Sequence, residues 1–518
     1  MRYDRTTFSG PPEELGLPDP ITDDPRPEGS VPPPTDDIPP ATAMDVAGLG
    51  QRAVGQLVVR AVVVRAITLV GTIALARLLT PAEFGAFAVV TVLVTFVALI
   101  GDFGTSAALI QQDHEPTPLE LSTAFVTQLG VWAGIGLVIW VMSGVLLSIW
   151  PTLPPELPGI ARLLAVALFI GGLRAVPTVM LSRVLRFGPL AIVEIGQQIV
   201  YFGVAVALAA LGYGIWSFAI AGLAQSVFAT VVINLAWGRW FGLRFDWPIA
   251  RRMWGFGIAY QAGNALTWGR EAVVPALGGL AGGLDAIGYL GFAYRNGQLV
   301  TAVEQIVQRV AFPAFSRLQR EPERQGSMAG TAIQLVMLAV ATIQGWIVAT
   351  APILVPIVFT DRWTPAIVPL QIVCIGSLAT GPMFVLRALV YARGESRRAL
   401  ELTAAGLLVL LVTFPVLAIQ AGLVGAALSL AISSYVGLGL FIWAAGDIVA
   451  FPWLATARIV AVVAAASIIG ALIALAIPTL VGLFISGVAY LAVVGGLVFA
   501  VDRPLAQRSI GLLSRVRA

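Results

Sequence analysis

About fourteen apolar stretches, each long enough to cross a lipid bilayer, follow one another along this 518-residue chain. A transmembrane helix needs roughly 20 apolar residues, because the hydrocarbon core of a bilayer is about 30 Å thick. Inside that core every backbone amide must find its hydrogen bond within the protein, and a helix meets this need within a single segment. The sequence therefore predicts an all-α polytopic membrane protein.

The composition agrees with this class and excludes several kinds of chemistry. Only 11% of the residues are charged and the mean hydropathy is +0.89, whereas soluble domains carry about 25% charged residues. All 31 basic residues are arginine, which excludes chemistry that depends on a lysine. The single cysteine, Cys374, excludes a disulfide framework, and His114 is the only histidine. We expect no catalytic residue, no metal site and no cofactor.

The chain divides into a polar tail and a long apolar part. Residues 1–48 contain eleven prolines and ten carboxylates, a composition that cannot form a core, so we expect a disordered cytoplasmic tail. That tail lacks the basic and apolar regions of a signal peptide. The predicted parts that follow are an N-terminal lobe of helices 1–6 (50–240), a C-terminal lobe of helices 7–12 (250–447), an extra helix pair (453–502) and a basic cytoplasmic tail (503–518).

Fourteen transmembrane helices follow from the apolar stretches. We place them at 54–77, 85–110, 120–150, 160–182, 188–211, 213–238, 252–279, 286–312, 328–359, 365–392, 397–419, 421–446, 454–477 and 480–501. Pro352 and Pro356 are expected to kink or end the ninth helix.

An internal repeat relates the two predicted lobes. Three pairs of landmark residues lie about 203, 205 and 210 residues apart: Gly85 and Gly288, Pro177 and Pro382, and Gly212 and Gly422. A near-constant offset predicts two pseudo-symmetric six-helix lobes around a central cavity, an arrangement that many transport proteins share.

The arginines that flank the helices indicate the orientation. With the N-terminus inside, eighteen arginines fall on the cytoplasmic side and only Arg77, Arg162 and Arg362 fall on the other. Cytoplasmic loops of membrane proteins are enriched in basic residues. Both termini are therefore expected in the cytoplasm.

Nine ionisable side chains lie inside the predicted spans: Arg60, Arg65, Arg174, Glu194, Arg270, Glu271, Arg295, Glu304 and Arg387. If all of them faced lipid, the cost would be roughly 25 kcal/mol on insertion scales, more than the stability of a typical domain. They must mostly face protein, water or each other.

Helical phase gathers several of these groups into polar stripes on helices 1, 7 and 8. The stripes are Arg65, Thr68 and Thr72; Gln261, Asn264, Trp268 and Glu271; and Arg295, Gln298, Gln305 and Arg309. Arg270 points about 100° away from Glu271, and Glu304 points away from Arg295. We therefore expect a hydrated cavity between the lobes, with Gln261, Asn264 and Gln298 in its polar lining.

The excess of arginine predicts an anionic ligand. Guanidinium groups stay charged and bind phosphate oxygens in pairs, so a phosphate or pyrophosphate group suits such a cavity. The candidate cavity cations are Arg60, Arg65, Arg174, Arg270, Arg295 and Arg387. For Arg60, Arg174 and Arg387, nearer helix ends, a structural ion pair or an extension to the interface is an equal alternative.

Four carboxylates are candidates for coupling or gating: Asp102, Glu194, Glu271 and Glu304. Asp102 lies between Gly101 and Gly104, where it is also suited to capping a helix. Glu194, followed by Gln197 and Gln198, is equally suited to a structural role.

Two runs of sequence resemble a known family. They are Leu75-Ala76-Arg77-Leu78-Leu79-Thr80-Pro81-Ala82-Glu83-Phe84-Gly85 and Gly101-Asp102-Phe103-Gly104-Thr105-Ser106-Ala107-Ala108-Leu109-Ile110-Gln111. Shorter matches occur at 183–187, 211–217, 288–289, 312–316 and 362–363. Over about residues 50–450 the chain resembles the polysaccharide-transporter (Wzx-type) flippases of the multidrug/oligosaccharidyl-lipid/polysaccharide exporter superfamily.

The resemblance implies a function and partners. It implies alternating access by two lobes in the bacterial plasma membrane, with a polyprenyl-pyrophosphate-linked oligosaccharide as cargo for capsule, exopolysaccharide or lipopolysaccharide synthesis. Polysaccharide polymerase and co-polymerase proteins are implied partners, and nucleic acid is not. The family commonly carries an Asn-Asp pair in helix 7, whereas this chain has Asn264 and then Arg270-Glu271.

Three other functions were weighed. A lipid II flippase and a cation-coupled drug exporter belong to the same superfamily, but a drug exporter needs carboxylates for cationic cargo. A membrane glycan polymerase or ligase needs an outer loop with acid/base or metal groups. The predicted outer loops are about ten residues or fewer and contain no histidine, which disfavours this enzyme.

Overall fold

The fold is described from a computed structural model for residues 60, 63–99, 109, 114–149, 153–184, 186–238, 241–298, 311–501 and 507, with the side chains of 96–99, 146–149, 187, 255–268 and 501 outside that description. This part of the chain consists of helices, two short 3₁₀ segments and turns, without strands. It contains nine helical segments that are long and apolar enough to cross a membrane. The predicted all-α membrane fold is confirmed, and the number of fourteen spans stays a prediction.

Helices make up most of the described residues. In chain order they are α1 (63–78), α2 (Pro81–Leu99), α3 (Pro118–Ile149), α4 (Leu157–Gly172), α5 (Ala175–Arg183), α6 (Phe187–Ala210), α7 (Trp216–Trp237), α8 (Trp247–Leu277), α9 (Gly283–Gly297), α10 (311–317), α11 (Pro322–Phe359), α12 (Ile367–Ser377), α13 (Thr380–Ala392), α14 (Ser396–Ala445), α15 (Trp453–Ala476) and α16 (Leu480–Val501). The 3₁₀ segments are Gly278–Ala281 and Asp361–Ala366.

Two helices that were predicted to be continuous are interrupted. The predicted helix 160–182 breaks between α4 and α5, and the predicted helix 365–392 breaks between α12 and α13. The cause is Pro177 in one and Pro382 in the other. A proline lacks the amide hydrogen and its ring clashes with the carbonyl four residues earlier, which is Leu173 in one case and Leu378 in the other. The two breaks therefore lie 205 residues apart, as do the prolines.

Other prolines and glycines act differently. α11 continues through Pro352 and Pro356 to Phe359, so neither proline ends it. α14 contains both the eleventh and the twelfth predicted helices, which meet at Ala421 and Gly422, where the backbone leaves the helical region. Gly422 has φ 56°, and its repeat counterpart Gly212 has φ 84°.

The same four-residue motif caps two neighbouring helices. At the start of α2 the Thr80 amide donates to Glu83 Oε2 at 2.7 Å, and the Glu83 amide donates back to Thr80 Oγ1 at 3.3 Å. Thr117 and Glu120 form the same reciprocal pair at the start of α3, at 2.9 and 3.2 Å. In each motif a proline follows the threonine, at the helix position where its missing amide costs nothing.

The repeat glycines lie at a close backbone contact between the N-terminal half (60–238) and the later helices. α2 packs along α9, with Gly85 against the Leu284 carbonyl and Gly288 against Pro81. A Cβ on either glycine would overlap a backbone oxygen. Small residues of this kind allow two membrane helices to approach through their backbones.

Replacing Gly288 by alanine should lower stability by about 1–3 kcal/mol, because the new methyl group must push the α2 backbone away. Gly291→Ala, one turn along the same helix, is the matched control. Its Cβ meets nothing within 4 Å, and alanine favours a helix over glycine by up to about 1 kcal/mol. Thermal unfolding of the purified variants checks this, and equal melting temperatures for the two would contradict it.

Candidate functional site

One face of α6 carries the polar groups of the N-terminal half. Glu194, Gln197 and Tyr201 are spaced by three and four residues and so lie on the same side of the helix. Arg60 Nη2 lies 2.8 Å from Glu194 Oε2, and Arg174 Nη1 donates to Gln197 Oε1 at 3.0 Å. Arg174 reaches α6 from the interruption that precedes α5. Both arginines are thus held by partners within their own half.

Arg270 occupies a different environment near the end of α8. Its Nη2 donates to the Ser434 hydroxyl at 2.8 Å, and its Nη1 lies 3.4 Å from the Ser433 hydroxyl. Those hydroxyls donate in turn to backbone carbonyls, at 2.8 Å for Ser433 with Gly406 and 3.0 Å for Ser434 with Leu430. Neutral oxygens fix this guanidinium in place without cancelling its charge.

Two tyrosines lie near arginines of this region: Tyr294 near Arg270, and Tyr201 near Arg295. On α9, Tyr294 interacts with both Arg270 and Gln298 through its hydroxyl. The neighbouring Arg295 is exposed and lies close enough to Tyr201 of α6 for an electrostatic interaction. Arg295 and Tyr201 therefore come near one another from the two halves of the protein.

The remaining predicted groups are more scattered. Arg65 and Glu271 are exposed, and the Arg387 guanidinium lies 4.2 Å from the centre of the Phe384 ring. Asp102 and Glu304 lie outside the described residues, as do the side chains of Gln261 and Asn264. The roles assigned to all of these residues stay predictions.

The arginines thus fall into two groups. Arg60 is neutralised by Glu194, and a structural role is what the sequence left open for each of these residues separately. In the described part of the chain, Arg65, Arg174, Arg270 and Arg295 form no ion pair with a carboxylate. Such guanidinium groups attract an anion, and a phosphate offers the oxygens that their planar forks bind.

Sequence reasoning missed four residues of this site: Tyr201, Tyr294, Ser433 and Ser434. Tyr201 continues the helical spacing of three and four residues that begins at Glu194 and Gln197, so this periodicity in the sequence could have identified it. Adjacent serines in an apolar helix are also a visible signal. Their pairing with Arg270 was not readable, because the 163 residues that separate them in sequence give no information on distance.

Replacing either Arg60 or Glu194 alone should lower the free energy of unfolding more than replacing both residues together. Arg60→Ala leaves a carboxylate at membrane depth, Glu194→Ala leaves a guanidinium, and the double variant leaves neither. A double-mutant cycle on unfolding free energies should give a coupling of about 1 kcal/mol. Additive losses would show that the two charges stabilise the fold independently.

Comparison with known proteins now gives the family. A family described as "Polysaccharide biosynthesis protein" matches residues 74–368, more than half of the chain. The chain belongs to this family. The resemblance to polysaccharide transporters that the two sequence runs indicated is confirmed.

Curated relatives match over a similar stretch. The chain is 28% identical over 335 residues to the succinoglycan biosynthesis transport protein ExoT of Rhizobium meliloti (strain 1021), which covers 61% of this chain and 63% of that protein. It is 26% identical over 315 residues to the teichuronic acid biosynthesis protein TuaB of Bacillus subtilis (strain 168), covering 58% and 62%. The matched stretch spans less than two thirds of these relatives' length.

Solved structures share the fold at low sequence identity. The lipid II flippase MurJ in an inward closed conformation superposes with a TM-score of 0.66 at 16% identity, over 86% of this chain and 98% of that one. An inward-facing multidrug resistance transporter of the MATE family gives 0.59 at 18% identity, over 74% and 94%. The chain therefore shares its fold with these two transporters.

Proposed function

We infer that the protein is a transporter that moves a polyprenyl-pyrophosphate-linked oligosaccharide across the bacterial plasma membrane for cell-surface polysaccharide synthesis. The pyrophosphate binds guanidinium groups in a cavity between two six-helix lobes, while the lipid tail stays in the bilayer. The lobes then rock so that the cavity opens to the other side. The arginine distribution supports cytoplasmic termini, and polysaccharide polymerase and co-polymerase proteins are the expected partners.

The observation that carries this proposal is the state of Arg270. Its guanidinium is hydrogen-bonded to two serine hydroxyls, and no carboxylate of the described residues neutralises it. A charge at membrane depth is costly, so a guanidinium held by neutral hydroxyls is best explained by an anion that binds there. A pyrophosphate, in turn, crosses a bilayer readily only when cations replace its hydration shell.

The family supports the class of cargo. Its description names polysaccharide biosynthesis, and the relative from Rhizobium meliloti is named as a transport protein of succinoglycan biosynthesis. Lipid II presents the same pyrophosphate chemistry, so a lipid II flippase differs from this proposal only in the sugar. A drug exporter fits less well, because its cationic cargo would be repelled by Arg65, Arg270 and Arg295.

Arg295→Ala and Arg65→Ala should each reduce surface polysaccharide by at least about tenfold with the amount of protein unchanged. A hydrogen bond to a charged group contributes about 1.5–3 kcal/mol, and each 1.4 kcal/mol is a factor of ten. Surface glycan staining together with an immunoblot of the membrane fraction checks both quantities.

Arg397→Ala is the control for this test, because Arg397 has a side-chain exposure of 92% and pairs with Glu401 one turn away. It should leave the surface polysaccharide unchanged. Deleting the gene should also make the lipid-linked oligosaccharide accumulate on the cytoplasmic leaflet. Normal export in both arginine variants would exclude the pyrophosphate site, and accumulation of lipid II instead would identify the other cargo.

A further inference from the structure

The C-terminal ends of α1 and α11 lie together at one end of the helices. Arg77, in the last turn of α1, extends its guanidinium to α11. Its Nε donates to the Val358 carbonyl at 2.8 Å and its Nη2 donates to the Ile357 carbonyl at 2.5 Å. These carbonyls belong to the last turn of α11, where no further helical amide is available to them. The C-terminus of a helix also carries partial negative charge, which favours a cation.

A second contact runs in the opposite direction. The indole Nε1 of Trp363, in the 3₁₀ segment after α11, donates to the Ala76 carbonyl in the last turn of α1 at 2.8 Å. The amide of Thr80, four residues on, donates to Glu83 Oε2 instead, so the Ala76 carbonyl is left for the indole. Each half thus caps the helix end of the other half with a side chain.

Packing and backbone geometry hold the indole in place. Trp363 is completely buried, and Phe84 of α2 packs against it edge-on at 5.3 Å between ring centres. The chain reaches Trp363 through Thr360, whose φ of 97° and ψ of 162° are nearly restricted to glycine. In the described residues it is the one non-glycine position with positive φ. A strained residue persists only where surrounding contacts determine its conformation.

We propose that Arg77 and Trp363 form a reversible latch that holds this end of the protein closed and opens when cargo leaves. The inference rests on the proposed alternating access. The latch joins α1 and α2 to α11 and the segment after it, which belong to different predicted lobes, so the lobes cannot separate at this end while it is intact. With both termini in the cytoplasm, this end faces outward.

The chemistry of the latch suits repeated opening. The contacts that form it include no carboxylate, so opening leaves one cation, the indole N–H of Trp363 and three backbone carbonyls near the membrane surface, all of which water can hydrate. Arg77 is exposed, so water can reach its guanidinium while the latch is closed. Water can therefore replace the latch bonds one at a time.

The test measures the distance across the latch in the full chain. Spin labels are attached at Leu78→Cys and Val368→Cys, two exposed positions with side chains that are 41% and 48% accessible, in a Cys374→Ala background. Pulsed electron-spin resonance is recorded in lipid nanodiscs. The parent should show one short distance, whereas Arg77→Ala and Trp363→Phe should each raise the ratio of long to short distances by at least about tenfold.

Two further variants control this experiment. Arg77→Lys keeps a cation that can donate to one carbonyl and should fall between the parent and Arg77→Ala. Arg362→Ala removes the exposed arginine next to Trp363 and should leave the distances as in the parent. Trp363→Phe retains the aromatic ring and removes the N–H donor, so it remains informative if Arg77→Ala does not fold.

An unchanged short distance in both Arg77→Ala and Trp363→Phe would overturn the latch. This readout does not depend on transport. If the distances shift as expected but deletion of the gene leaves surface polysaccharide intact, the latch stands and the proposed cargo is wrong. If deletion abolishes the polysaccharide and the distances do not shift, the transport function stands and the latch is wrong.

Discussion

A charged or polar group inside a bilayer must find its hydrogen bonds or counter-charge within the protein, because lipid chains provide neither. This protein meets the demand in three ways. Arg60 is neutralised by Glu194. Arg270 is hydrogen-bonded by two serine hydroxyls and keeps its charge. Arg77 binds the carbonyls at the end of a neighbouring helix. The same side-chain type is therefore a structural element, a candidate ligand-binding group and a cap, depending only on what lies beside it.

The ends and breaks of the helices are where the two halves of the protein meet and where polar groups gather. The interruption that Pro177 causes carries Arg174 to the polar face of α6. The ends of α1 and α11 supply the carbonyls that Arg77 and Trp363 bind. Backbone groups at helix ends and breaks lack helical partners and so can bind other segments, and an interior carbonyl can accept a second bond, as the Gly406 carbonyl does from the Ser433 hydroxyl. Ends and breaks therefore supply part of the polar contacts of this fold, and side chains in helix interiors such as Arg270 supply the rest.

The repeat explains why corresponding features appear in both halves. The proline-induced breaks lie at matching positions, and Gly212 and Gly422 both adopt positive φ. Gly85 and Gly288 correspond in the repeat and also lie on two helices that pack closely across the halves. Not every charged group follows the repeat, because Arg77 contacts α11 whereas the position 203 residues later is Leu280. Shared backbone geometry thus supports different chemistry in each half.

The sequence by itself determined the all-α membrane fold, most helix positions and the family, since apolar length and local motifs act over a few neighbouring residues. The Thr-Pro-x-Glu caps at Thr80 and Thr117 and the break before Pro177 are equally local, and could have been read from it. Which arginines are neutralised was decided by tertiary structure alone. Glu194 lies 134 residues from Arg60 and Ser434 lies 164 residues from Arg270. A side chain's charge state and role depend on atoms within a few ångströms, and only the packing of distant helices brings those atoms together.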